Sequence, residues 1–344
     1  MSLSPTRPRI QTIETIQTIQ TVFWSPNPAP FPCRGSQTVS SRVSTVPMMP
    51  SPSYSMSRRA TLASLLGGLA AACSPLGLLN SLGPRDSGAR RVAREQPYGD
   101  DPRQKMDLYA PTGATPASPV PTLVFFYGGG WDSGSRDVYG WAAQALAAKG
   151  FVVALPDYRL VPEVHFPGFV EDAAQATARA AELVRPHGGD AGRLGVLGHS
   201  AGAHLAMMIT LDRRYMAAVD RPDLIKAAAG LAGPYEFLPF DVKASVNAFG
   251  RAPDPTLTQP VTFARADAPP LWLGHGTDDT VVHAEDTRIL CERMEEVGGP
   301  CTARFYEGLN HADLIATFSP LFRKKAPVLA EVSDFFHRTL DRPA

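Results

Sequence analysis

In the stretch VLGHSAGAHLAMM, residues 196–208, Ser200 stands between Gly198 and Gly202, with an apolar run before it and a small-residue helical pattern after it. A strand that turns sharply into a helix would lift this hydroxyl clear of a sheet. The two glycines leave room for such a turn, and Ala203 lets the helix lie close. A serine hydroxyl becomes a nucleophile only beside a base that an acid orients. HGTDDTVV offers Asp279 as that acid, with Asp278 as its competitor, and YEGLNHADL offers His311 as the base. Attack would also build negative charge on a substrate oxygen, which calls for converging backbone N–H groups. FFYGGGWDSGSR supplies them at Gly129 and Gly130, with Ala201 after the serine as a third donor. Each feature alone has an ordinary reading: a capping aspartate, a solvent-facing histidine, a glycine turn. A phosphate cradle is a rival for the glycines, but no G-x-x-x-x-G-K-[ST] pattern accompanies them.

The elements around these residues share one theme. KMDLYAP, TLVFFYGGG, FVVALPDYRL, RLGVLGHS, IKAAAGLAG, PPLWLGHG and CTARFYEG read as strands. Between and after them, DVYGWAAQALAAKG, FVEDAAQATARAAELVRPHGGD, AGAHLAMMITLDRRYM, AEDTRILCERMEEVGG and PVLAEVSDFFHRTL read as helices. Apolar strands alternating with helices predict an α/β fold with a mostly parallel central sheet covered on both faces. Function in such sheets gathers at the carboxyl ends of strands, and Ser200, Asp279 and His311 each follow a different strand in that order.

Lysine plus arginine balances aspartate plus glutamate at 33 each, which removes a net field toward nucleic acid, and 44% hydrophobic residues suffice for a large core. Residues 1–55 are rich in Ser, Thr, Pro and Gln and read as a low-complexity leader without a core. Residues 56–73 read as an export signal, with Arg58 and Arg59 ahead of an apolar run too short to span a bilayer. The arginine pair resembles a twin-arginine signal with Thr61 in place of the usual phenylalanine. LAAAC resembles a lipoprotein box that would attach lipid to Cys73. A buried helix and an organelle transit peptide are the competing readings. If export holds, Met56 is the natural start, 1–55 is an over-extended frame, and the domain runs over 74–344 in a periplasmic or membrane-anchored protein; otherwise it is cytoplasmic. Of four cysteines, Cys33 and Cys73 fall in the leader, while Cys291 on a helix and Cys301 at the next strand could pair or remain two thiols.

The chain resembles the α/β-hydrolase superfamily over roughly residues 95–340, and in particular a carboxylesterase branch related to hormone-sensitive lipase and kynurenine formamidase, bacterial feruloyl-esterase-like. The resemblance is carried by YGDDPRQKMDLYAP, YGGGW, DYRLVPEVHFPGFVEDA, GHSAG, HGTDDTVV and the His311 loop. It implies Ser200 as nucleophile, Asp279 as acid, His311 as base, and Gly129, Gly130 and Ala201 as oxyanion donors. Tyr127 stands where the family motif begins with histidine, so it must hold the glycine loop by a different geometry. Trp131 and Tyr127 are candidates to line a substrate pocket. His165, His199, His204 and His275 read as packing, capping or exposed residues.

These readings predict a serine hydrolase acting on small-molecule esters of short acyl length through an acyl-serine, needing neither metal nor organic cofactor. An insertion at 236–268 would roof the site. The rivals are an arylformamidase-like amidase and a non-catalytic binding module on the same fold.

Overall fold

Buried apolar runs make the middle of an eight-stranded sheet: β3 (Val120–Phe126), β4 (Val152–Pro156), β5 (Gly189–His199), β6 (Ile225–Leu231) and β7 (Leu271–Gly276). The computed structural model describes residues 83–341, so the leader, the export signal and Cys73 lie outside the described residues. The strand order is β1-β2-β4-β3-β5-β6-β7-β8. β2 (Lys105–Pro111) is antiparallel to β1 (Ala89–Pro97) and to β4, and all other pairs are parallel through to β8 (Cys301–Tyr306). This is the α/β-hydrolase fold.

Right-handed crossovers that step in opposite directions along a sheet leave their helices on opposite faces. α1 (Arg136–Ala147) follows β3 and steps one way; α2 (Gly168–Leu183) and α3 (Ala201–Leu211) step the other, and α4 (Arg213–Ala218) packs on both. Further along are α5 (Lys243–Phe249), α6 (Ala284–Glu296), α7 (His311–Ala316) and α8 (Val328–Leu340). α8 reaches the end of α1, where His337 Nε2 lies 2.8 Å from the Lys149 carbonyl.

Two local outcomes differ from the sequence reading, and a third decides a choice it left open. β1, sequence ARRVAREQP, escaped it because this edge strand shows charge rather than apolar alternation, with register breaks and a positive φ at Glu95. Arginines and irregularity blunt such an edge against pairing with another chain. The helix expected over AGAHLAMMITLDRRYM divides at Asp212, whose extended backbone ends α3 and whose side chain accepts from the Arg214 N–H at 3.1 Å to start α4. Cys291 in α6 and Cys301 at the start of β8 form a disulfide with Cα atoms 5.4 Å apart, which settles the open pairing.

The DYRL segment after β4 is pinned by buried ions. Asp157 pairs with the Arg136 guanidinium and accepts from the Arg136 backbone N–H at 2.7 Å; Asp172 in α2 takes Arg159 Nη2 at 2.7 Å and Gln104 Nε2 at 2.8 Å. These pairs set the course of the chain that passes beside the glycine loop. Removing one partner would strand a buried charge.

Candidate active site

Ser200 sits at the turn from β5 into α3 with φ 54° and ψ −124°, a conformation that costs a non-glycine residue roughly 1–3 kcal/mol and is retained because its surroundings fix it. Its N–H donates to the Leu231 carbonyl at 2.8 Å, and its own carbonyl accepts from Ala203 and His204. A side chain at Gly198 would meet the Gly202 backbone, and one at Gly202 would meet the Phe126 carbonyl, so the glycines at these two positions are required by close approach.

His311 opens α7, behind an Asn310 cap whose side chain accepts from the Asp313 N–H at 2.9 Å. Its Nε2 lies 2.9 Å from Ser200 Oγ and its Nδ1 2.7 Å from Asp279 Oδ2. A carboxylate only accepts, so Nδ1 carries the proton and Nε2 is left to accept from the serine. Asp279, not Asp278, faces the histidine; Asp278 takes a 3.2 Å contact from Thr277 Oγ1 in an exposed loop. Asp279 Oδ1 also accepts from the N–H groups of Val281 and Val282 at 2.9 and 3.0 Å. Burial would raise its pKa, but hydrogen bonds from His275 and His311 outweigh that and hold the carboxyl far below the usual range.

Two histidines that the sequence reading left as packing residues support this chain. The buried His275 has Nε2 3.3 Å from Asp279 Oδ2 and 3.0 Å from the Val282 carbonyl, both acceptors, so that nitrogen carries hydrogen. Its Nδ1 lies 2.8 Å from Thr287 Oγ1. His199 Nε2 lies 3.2 Å from the His311 carbonyl and its Nδ1 3.2 Å from Tyr139 Oη. Burial, with the neighbouring His311, pushes the His199 pKa down to about 3, so it holds the base while neutral. The signal for both was position: each sits at a strand end, one residue before Ser200 or four before Asp279.

The glycine loop leaves β3 with φ 140° at Gly129 and 57° at Gly130. Gly130 and Ala201 line a cavity with Ser200; Gly129 lies behind them, its carbonyl fixed by the Ser133 N–H at 3.0 Å. The N–H groups of Gly129, Gly130 and Ala201 find no protein acceptor among the described residues. Tyr127 does not line the cavity, contrary to expectation. It is fully buried behind the loop, stacked on Tyr158 and Tyr139 at centroid distances of 4.8 and 5.7 Å. Arg103, absent from the sequence reading, donates Nη2 to Tyr127 Oη at 2.8 Å and to the Gly134 carbonyl at 3.0 Å, and Nε to the Tyr158 carbonyl at 2.8 Å. One guanidinium thereby fastens both ends of the loop, the work expected of the missing histidine.

Trp131 lines the cavity, on a backbone with φ 62° whose carbonyl accepts from the Val161 N–H at 2.9 Å. Its ring packs on Phe249, His204 and Phe237 at 4.7, 5.4 and 6.0 Å. His204 is buried, with Nε2 2.9 Å from the Thr258 carbonyl, and burial pushes its pKa down to about 4. His165 stays outside the cavity, with Nδ1 2.8 Å from the Asn247 carbonyl. The cavity, about 360 Å³, is closed by part of the expected roof, residues 236–245, by the loop 280–283 and by Asp286. The rest of 236–268 packs underneath: Gln259 Oε1 takes the Phe237 N–H at 2.7 Å.

Among known proteins, the BD-FAE family model matches residues 106–294. Esterase LipC of Mycobacterium tuberculosis (strain ATCC 25618 / H37Rv) is 32% identical over 219 residues, 58% of this chain and 54% of its own length. A probable isoprenylcysteine alpha-carbonyl methylesterase of Arabidopsis thaliana is 28% identical over 248 residues, 65% of this chain and 51% of its own. The chain thus spans about half the length of these curated relatives. The crystal structure of esterase B from Lactobacillus rhamnosis is similar in fold, with a TM-score of 0.67 at 19% identity over 82% of this chain and 97% of that one.

Proposed function

The chain belongs to the BD-FAE family, and from that premise we propose that it is a serine hydrolase that cleaves carboxylic esters of small, short-acyl substrates through an acyl-serine intermediate. The observation that carries the proposal is the unbroken line Ser200 Oγ, His311 Nε2, His311 Nδ1, Asp279 Oδ2, with links of 2.9 and 2.7 Å, opening into a cavity. Ser200 Oγ attacks the ester carbonyl while His311 Nε2 takes its proton, and Asp279 stabilises the imidazolium. The N–H groups of Gly129, Gly130 and Ala201 receive the oxyanion. His311 returns the proton to the leaving alcohol. Water, activated by His311, then cleaves the acyl-serine and releases the acid.

A cavity of about 360 Å³ supports a small substrate, since it lies near the lower end of ligand-pocket sizes. Trp131 is its aromatic wall. The reading extends to export with a lipid on Cys73, supported by the arginine pair and apolar run of residues 58–72. Membrane fractionation of wild type and Cys73→Ser tests that part.

Labelling with a fluorescent fluorophosphonate, beside Ser200→Ala, tests the chemistry, together with turnover of p-nitrophenyl acetate and N-formylkynurenine. Wild type is expected to label and to hydrolyse the ester faster than the formamide, and Ser200→Ala to do neither. Faster turnover of the formamide reassigns the protein to the amidases. A folded wild type that neither labels nor turns over is a binding module.

A further inference from the structure

The cavity beside Ser200 carries charge of one sign. Glu236, Asp241 and Asp286 line it, and no Lys or Arg does; Lys243, next along α5, is exposed and outside the lining. Asp286 differs from the other two acids. It lies in the first turn of α6 and is only 9% exposed. Its Oδ1 is fixed by the N–H groups of Tyr235 and Glu236 at 2.7 and 2.9 Å, while its Oδ2 receives no protein hydrogen bond among the described residues. Burial pushes this carboxyl up, and the two amides pull it back only in part. This buried carboxylate, with one oxygen anchored and the other open to the cavity, has no ion-pair partner among the described residues, and a buried charge calls for one.

The apolar lining suggests what form that partner takes. Trp131 and Phe237, stacked at 6.0 Å, both face the same space. Aromatic rings beside a carboxylate suit a quaternary ammonium, which binds by its diffuse charge and methyl surface rather than by directed hydrogen bonds.

We propose, resting on the esterase reading of this cavity, that the site selects esters bearing a quaternary ammonium group, received by Asp286 with Glu236 and Asp241 at the mouth and Trp131 and Phe237 as the aromatic wall. The carboxylates take no part in bond making; they determine which ester is held over Ser200.

Two probe pairs test this with the purified full chain. On the alcohol side, acetylthiocholine is compared with 3,3-dimethylbutyl thioacetate, its neutral carbon isostere. On the acyl side, the p-nitrophenyl ester of 4-(trimethylammonio)butyrate is compared with that of 5,5-dimethylhexanoate. At least one cationic member is expected to exceed its isostere in kcat/KM by about tenfold or more. Asp286→Asn keeps the Oδ1 acceptor that anchors the fold and is expected to cut that ratio to about threefold or less. Glu236→Gln, at an exposed position, lowers it only about twofold and makes it less sensitive to salt. Ratios near one for both pairs overturn the inference, as does a preference that survives Asp286→Asn. If the neutral isosteres still turn over and Ser200 still labels, the esterase reading stands without it. If no ester turns over, both fall.

Discussion

The residues that would make and break bonds and the residues that would choose the substrate are held in different ways. Ser200, Asp279 and His311 follow three strands and are braced by buried histidines, backbone amides and a conformation at Ser200 that local packing enforces. The facing wall, residues 234–249, has short irregular elements and exposes Leu238, Val242 and Val246 to solvent. The floor is over-determined, so substitutions there should change chemistry steeply. The exposed side chains of the wall are held at few points, and substitutions at Leu238, Val242 and Val246 should change preference while leaving stability nearly untouched.

Asp279→Asn puts the sharpest strain on that contrast. An amide in place of Oδ2 offers His311 Nδ1 the wrong partner and favours the wrong tautomer, so kcat should fall about 10⁴-fold with the fold intact. Stopped assays on p-nitrophenyl acetate measure this, and a loss of less than tenfold would make the floor as permissive as the wall. Next in size is the loop clamp. Arg103→Met removes the two hydrogen bonds that fasten residues 127–134 and a third to the Tyr158 carbonyl, and kcat should drop about 30- to 100-fold with KM little changed. Arg103→Lys, a point charge without the fork, should recover only part of it.

His275 gives a finer test. In His275→Asn the side chain can still meet Thr287 but no longer reaches Asp279. Asp279 then has one donor fewer. With Asp279 less firmly oriented, kcat should fall about tenfold with KM little changed. An unchanged kcat would reduce His275 to a packing residue. The buried histidines also set how stability follows pH. His199 and His204 have pKa values of about 3 and about 4 in the fold against an ordinary 6.5, so the unfolded chain binds their protons first. Their stabilising contribution is present above pH 6.5 and is lost as pH falls toward those values, at about 1.4 kcal/mol per pH unit for each. Urea unfolding between pH 7 and 5 reads the slope, which His204→Phe should reduce by about that amount. The smallest effect belongs to the wall: Val242→Ser should shift KM for apolar esters two- to threefold and stability by less than about 0.5 kcal/mol.

Much of the site was legible because its signals are local. A glycine-flanked serine between a strand and a helix is readable within a dozen residues, and the order Ser200, Asp279, His311 needs only strand ends to be recognised. What brackets these residues was not local. Arg103 belongs to the loop only because three tyrosines stack beneath it, and the same stacking turned Tyr127 away from the cavity. Asp286 reads in sequence as an acid favouring a helix start, a role it also fills, and nothing in the chain ties it to the segment 234–236. β1 hid because an edge strand uses charge where a central strand uses apolar side chains. The leader's meaning rests on sequence alone.

The strand order has a consequence in time. Ser200 and its elbow are complete once β5, α3 and β6 have formed, yet the base follows the nucleophile by 111 residues and arrives after the last strand. At a synthesis rate of 5–20 residues per second, the serine waits roughly 6–22 s before the imidazole that would activate it leaves the ribosome. On the proposed mechanism, the nascent chain would carry a shaped but silent nucleophile, and late arrival of the base would act as the chain's own delay on its chemistry during manufacture.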